Sequence, residues 1–286
     1  MIVVSSSTAE PLGKLIAQRI GCDHSVVSRK RFPDGELYVR IEGELKGETT
    51  ILVGGTRGDQ DFIETLLLLE AAQGKHPEEI IAVLPYFGYA RQHMRYLPGE
   101  PISSSVVERA ILEYASSIFC VEVHDEGAIA PFRNRVHNIK VSRPFAEYIS
   151  KLKVDYVISP DDGGSDRADA IAKIIGCRSL SLEKKRIDDT HVSIDHPEVE
   201  LRGKRAVLVD DIISSGGTIV TASQILLSEG MSWVSVAAVH GLFINQSAER
   251  ILKSVSDLAV SNTIMTPYSK IDVSGTITSN ILEELE

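Results

Sequence analysis

Residues 206–218 read AVLVDDIISSGGT: an aliphatic run, two adjacent acids, then five small residues before a helical pattern begins. Ser214, Ser215, Gly216, Gly217 and Thr218 can turn successive backbone N–H groups and hydroxyls toward one anion, and the helix that follows adds its positive N-terminal end. A phosphate monoester fits such a nest. Asp210 and Asp211 stand a few ångströms away, able to accept hydrogen bonds from vicinal sugar hydroxyls or to hold a hydrated Mg2+. Carboxylates so placed select a polyol with a terminal phosphate. A second acidic turn, DDGG at 161–164, also follows a buried-type strand, and its glycines permit close approach of a phosphate.

These residues need a scaffold, and the chain shows its plan through an internal repeat. Residues 42–83 match residues 198–239 when 156 is added, so Glu44, Leu45 and Gly47 meet Glu200, Leu201 and Gly203, while Ala82 and Val83 meet Ala238 and Val239. Upstream the shift is 155, placing Ile16, Ala17, Ile20, Gly21 and Cys22 on Ile171, Ala172, Ile175, Gly176 and Cys177. Short continuous aliphatic runs (TTILV, EEIIAVL, DYVISP, KRAVLV, VSVAAV) alternate with amphipathic helical segments, the pattern of parallel strands covered on both faces by crossover helices. The expected architecture is α/β, two tandem duplicated domains over 1–142 and 143–286, each a mostly parallel sheet flanked by helices. Ligands should meet the carboxyl ends of the strands. The copies differ where function should lie: the first has GGTRGDQDF in place of the phosphate loop, and it alone carries the insertion PYFGYARQHMRYLPGEPISS.

Composition narrows the classes. The net charge of −10 disfavours broad nucleic-acid binding, which needs surplus Lys and Arg to displace counterions. No apolar run approaches the roughly 18 residues of a bilayer span, and the opening MIVVSSST lacks a basic leader, so a cytoplasmic protein without a membrane partner is expected. Cys22, Cys120 and Cys177 are too scattered for a zinc or disulfide framework. Neither GxxxxGK[ST] nor GxGxxG occurs, so a nucleotide has to be held in another way.

The run 206–218 resembles the phosphoribosyl pyrophosphate binding motif of type I phosphoribosyltransferases, and several first-half segments resemble one branch of that superfamily, the ribose-phosphate pyrophosphokinases, over essentially the whole chain. The resemblance implies transfer of the diphosphoryl group of ATP to the 1-hydroxyl of ribose 5-phosphate, with Mg2+ as cofactor and a homo-oligomer of at least two copies. RFPDGELYVRI is similar to the family's ATP loop and assigns Phe32, Asp34 and Glu36 to the nucleotide, a loop that in relatives reaches a neighbouring subunit. PYFGYARQ resembles its second ATP segment and assigns Arg91, Gln92 and the following His93, where relatives usually have an acid. VEVHDEG and ISPDDGG resemble its two metal stretches and assign His124 and Asp161; relatives carry Gln two or three residues after the histidine, whereas this chain has Asp125, Glu126 and Gly127. Lys184 and Arg186 match the family's K-x-R pair on a catalytic loop, in a long polar connection of the kind often used as a lid. Two rivals remain at this point: a phosphoribosyltransferase that consumes the product, expected to have a base-binding hood and no ATP segments, and a non-catalytic relative, expected to lack the loop cations.

Overall fold

A computed structural model describes residues 1–186, 192–195 and 200–286, and for 183–186 and 192–195 the backbone alone. Contacts divide the chain into two compact units.

The first unit holds a six-stranded sheet with wholly parallel pairing, built from β1 (Ile2–Ser5), β2 (Asp23–His24), β5 (Thr49–Val53), β6 (Glu79–Leu84), β7 (Ser117–Val121) and β8 (Val136–Ile139) in the order β2-β1-β5-β6-β7-β8. A separate antiparallel hairpin is formed by β3 (Val27–Arg31) and β4 (Leu37–Ile41). Three helices belong to this part of the chain: α1 (Glu10–Ile20), α2 (Asp59–Gln73) and α3 (Ser103–Leu112). Central strands such as β5 and β6 are buried along almost their full length, as continuous aliphatic runs on two-sided sheets must be.

The second unit repeats the arrangement. Strands β9 (Tyr156–Ser159), β10 (Arg178–Ser181), β13 (Arg205–Ile213), β14 (Trp233–Gly241), β15 (Asp257–Ser261) and β16 (Ser269–Ile271) pair in parallel in the order β10-β9-β13-β14-β15-β16. A second hairpin joins β11 (Glu183–Arg186) to β12 (Val192–Asp195). The helices are α4 (Ser142–Ile149), α5 (Ser165–Ile175), α6 (Gly217–Ser228) and α7 (Ser247–Leu252). Adding eight to every strand number of the first sheet gives the second, so the sequence repeat is a repeat of topology as well. Matched glycines do the same job: Gly21 and Gly176 end α1 and α5 at φ 79° and 81°, donating to the carbonyls of Ala17 and Ala172.

The division by contacts departs from a cut at residue 142. The first unit takes 1–140 together with 263–265 and 273–286, and the second takes 141–262 with 266–272. The reason is the last helix, α8 (Ser274–Leu285), which packs on α1, β7 and β8. Ile277 and Ile281 are fully buried, Arg19 Nε donates to Ser274 Oγ at 2.6 Å, and His137 Nε2 lies 3.6 Å from Glu284 Oε1.

Candidate active site

In the second unit the two acids and the small-residue loop meet where β13 ends. Asp210 and Asp211 are its sixth and seventh residues, and β9 beside it ends just before Asp161. Asp211 is buried, and its backbone N–H donates to Asp210 Oδ1 at 2.9 Å. The Asp210 carboxyl is held well above the usual carboxylate range, by burial first and then by the charges of Asp211 and Asp161, while Arg167 on α5 pulls the other way. Such a crowd of carboxylates calls for a cation or for hydroxyl donors.

The loop is built to present N–H groups. Gly216 caps α6 at φ 76°, a left-handed conformation natural to glycine, and a Cβ there would come within 2.9 Å of Ile251 Cδ1. Its carbonyl accepts the first helical bond, from Val220 N–H at 3.0 Å. The carbonyls of Ser214 and Ser215 are tied to the elements after β14: Ser247 Oγ and the Ile244 N–H donate to Ser214, at 2.8 and 3.0 Å, and Arg250 Nη2 donates to Ser215 at 2.8 Å. A trans peptide sets its N–H opposite its C=O, so with these carbonyls engaged the amides of Ser215 and Gly216 face away from Ser247 and Arg250. Gly217 and Ser215 are exposed, Ser214 and Thr218 half-buried, and a Cβ on Gly217 would meet nothing within 4 Å. Ser247 and Arg250, three residues apart on α7, carry no sign of these contacts in the sequence.

Asp161 is half-buried, in the turn between β9 and α5. Ser159 Oγ donates to its carbonyl at 2.6 Å, and Ser181 Oγ donates to Asp162 Oδ1 at 3.0 Å, which fixes the turn at both ends. At Gly164 the neighbour is the protein itself, since a Cβ there would lie 2.4 Å from Ser159 Oγ. Asp161, Asp210 and Asp211 supply oxygen donors of the type Mg2+ prefers, so the donor set fits a magnesium-bearing substrate. Among the described residues no group of three His, Cys, Asp or Glu side chains is arranged to hold a metal by itself.

In the first unit the remaining candidates lie on two loops. Phe32, Asp34 and Glu36 occupy the β3–β4 turn: Phe32 N–H donates to the Glu36 carbonyl at 2.9 Å, and Asp34 Oδ1 accepts from Glu36 N–H at 3.2 Å. The Phe32 ring is 43 % exposed and meets Tyr38 edge-on, with Lys30 Nζ 5.3 Å from its centroid. Arg29 anchors the hairpin, donating to Glu64 Oε1 of α2 at 2.6 Å and to the Ser5 carbonyl at 2.5 Å. A cavity of about 420 Å³ beside it is lined by Arg31, Glu36, Leu37, Asp59, Ile63 and Leu67 among others. On the second loop Arg91 is exposed, whereas Gln92 Oε1 accepts from Ser103 Oγ at 2.6 Å and serves the start of α3. His93 turns inward, 3.7 Å from Asp125 Oδ2. His124 is exposed. Lys184 and Arg186 lie on β11, where their side chains fall outside the described residues.

Comparison with known proteins decides among the readings. A family model for the N-terminal domain of ribose phosphate pyrophosphokinase matches residues 1–114, and one for the phosphoribosyl transferase domain matches residues 134–269. The chain belongs to the ribose-phosphate pyrophosphokinase family. It is 37 % identical to the ribose-phosphate pyrophosphokinase of Thermoplasma acidophilum over 273 residues, 96 % of each chain. It is 41 % identical to that of Pyrococcus furiosus over 250 residues, 86 % of this chain and 89 % of the relative. The fold is that of the phosphoribosylpyrophosphate synthetase of Mycobacterium smegmatis, with a TM-score of 0.85 at 23 % identity over 99 % of this chain and 98 % of that one. A ribose-phosphate pyrophosphokinase makes the product that its superfamily cousins consume, so the N-terminal match removes the transferase rival. Among the described residues no helix is long and apolar enough to cross a membrane.

Proposed function

We propose that residues 210–218 of this pyrophosphokinase seat ribose 5-phosphate, with the phosphate against the N–H groups and hydroxyls of 214–218 and the sugar hydroxyls on Asp210 and Asp211. As a family member the chain forms 5-phosphoribosyl 1-pyrophosphate from ATP, a step that feeds nucleotide biosynthesis. The anomeric oxygen attacks the β-phosphorus of ATP, the bond from that phosphorus to the α,β-bridging oxygen breaks, AMP leaves with the electron pair, and the hydroxyl proton passes to water. What carries the assignment is the tethering of the Ser214 and Ser215 carbonyls to Ser247 and Arg250, which leaves the amides of the same trans peptide units facing away from those tethers.

The nucleotide falls to the first-unit loops. Phe32 offers an exposed ring to adenine, Asp34 and Glu36 offer acceptors to the nucleoside, and Arg91 offers a fork to phosphate oxygens. Mg2+, when bound, neutralises the triphosphate; His124 and Asp161 are the proposed protein ligands. Lys184 and Arg186 are assigned to the transferring group, where charge spreads over peripheral oxygens and a single well-placed cation is worth about 10³-fold in rate. The exposed Phe32 and the cavity beside its hairpin support an assembly of at least two copies, in which a neighbour covers that tip. We assign the enzyme to the cytoplasm.

The test is product analysis. With ATP, Mg2+ and ribose 5-phosphate the protein releases AMP, and Lys184→Ala lowers that release by about 10³-fold. ADP as product, or nucleotide turnover independent of the sugar, rejects the reading.

A further inference from the structure

His93, on the loop of Arg91 and Gln92, and Asp125, beside His124, lie more than thirty residues apart in the chain and meet in the fold. The His93 side chain is 12 % exposed, with Nε2 3.7 Å from Asp125 Oδ2, beyond direct hydrogen-bond reach and within ion-pair range of an imidazolium. Its ring also presses on the next turn of chain: a Cβ on Gly127 would stand 3.2 Å from His93 Cδ2 and 2.9 Å from Asp125 Oδ1, so this approach needs glycine. Nδ1 is buried without a hydrogen-bond partner among the described residues, so the ring is held by packing and by its acidic neighbour.

The other side of the same turn is clamped to β8. Asn138 Oδ1 accepts from Val123 N–H at 3.0 Å, Asn138 Nδ2 donates to Glu126 Oε1 at 2.6 Å, and Lys140 Nζ lies 2.9 Å from the same oxygen. Asp125 Oδ1 closes the turn on Gly127 N–H at 2.7 Å. Segment 124–127 is thus gripped between β8 and the loop that carries Arg91 and Gln92, and His93 is the grip on the loop side.

We propose that His93 is a positioning residue: it fixes the turn bearing His124 against the loop bearing Arg91, and acts on the nucleotide through that turn without touching it. This rests on the assignment of Arg91 and His124 to Mg–ATP, and the test keeps the two apart. ATP affinity is measured by titration calorimetry, with and without Mg2+, for the full chain and for His93→Ala, His93→Gln, Asp125→Asn and the double variant His93→Ala/Asp125→Asn.

Each of His93→Ala and Asp125→Asn is expected to weaken Mg–ATP binding by about 3- to 10-fold, and the double variant to be no weaker than the worse single, because both remove one contact. His93→Gln recovers most of the affinity, and ribose 5-phosphate affinity stays at the parent value. Parent-like Mg–ATP affinity in His93→Ala, or single effects that multiply in the double variant, overturns the positioning role while leaving the ATP assignment standing. A parent protein that binds no ATP overturns both. Should His93→Ala fail to fold, His93→Leu, which keeps the packing and removes both ring nitrogens, makes the same comparison alone and with Asp125→Asn.

Discussion

Arg250 Nη2 donates to the carbonyl of Ser215 at 2.8 Å, and through that bond a helix after β14 sets the direction of a loop after β13. The Arg250 guanidinium also donates to the Asn245 carbonyl, so one planar fork spans two loops. Arg250→Met keeps the stem and removes the fork. A hydrogen bond from a charged donor is worth about 1.5–3 kcal/mol, so the KM for ribose 5-phosphate should rise by roughly 10-fold or more while the KM for ATP stays put. Equal changes in both constants would show that Arg250 supports the fold and not the loop.

Gly216→Ala meets two penalties at once. An L side chain at φ 76° costs about 1–2 kcal/mol, and the new methyl is driven toward Ile251 Cδ1, 2.9 Å away. Overpacking of that kind adds about 1–3 kcal/mol. Denaturant unfolding should show a loss of roughly 2–5 kcal/mol, and the double variant Gly216→Ala/Ile251→Val should recover only the steric part.

Most of the scaffold was legible because it rests on periodicity and duplication. The shift of 155 that laid Gly21 on Gly176 found two left-handed caps that the fold uses identically. Gly74, matched with Gly230 by the same method, shows the limit: Gly230 takes φ 90° while Gly74 stays in the right-handed region, and the reversal there passes to His76 at φ 55°. Contacts made over long sequence separation left no local trace. Nothing in the spacing of Ser247 and Arg250 announces that they bind carbonyls more than thirty residues earlier, and nothing in VSGTITSNILEELE says that α8 packs with the first unit. The bond from Ser103 Oγ to Gln92 Oε1, which ties the loop to the start of α3, likewise has no sign in the sequence.

Glu108 gives a stability prediction independent of the reaction. It lies on α3 at 0 % exposure, both carboxylate oxygens lack a hydrogen bond among the described residues, and burial pushes its carboxyl up to about 8 despite the charge of Arg109. The unfolded chain releases this proton above the ordinary value of 4.5, whereas the folded chain keeps it until about 8. Stability therefore falls as pH rises through that window and is level beyond it. Glu108→Gln carries no charge to release, so its advantage should be absent near pH 4 and full by about pH 8, approaching roughly 2–5 kcal/mol at about 1.4 kcal/mol per pH unit. Chemical denaturation at pH 5, 7 and 9 measures it. A constant difference across the three would mean that Glu108 does not hold its proton in the folded state.

Asp210 should show the opposite bargain between stability and function. Its carboxyl is raised by burial, by Asp211 and by Asp161, so the folded protein keeps a proton that the unfolded chain loses above the ordinary 3.8, and stability declines as pH climbs past that value. Asp210→Asn abolishes the penalty, retains an oxygen that can accept the Asp211 N–H, and at pH 7 should melt at a higher temperature than the parent. The same change turns one carboxyl oxygen into an amide NH2, which cannot accept from a sugar hydroxyl, and leaving a buried polar group of the ligand poorly matched costs about 1–3 kcal/mol or more. Ribose 5-phosphate affinity should therefore fall by at least 10-fold in the very variant that melts later. A variant that melts later and binds the sugar phosphate as well as the parent would mean that Asp210 is a misfit of the core, and the sugar hydroxyls would have to be read by Asp211 alone.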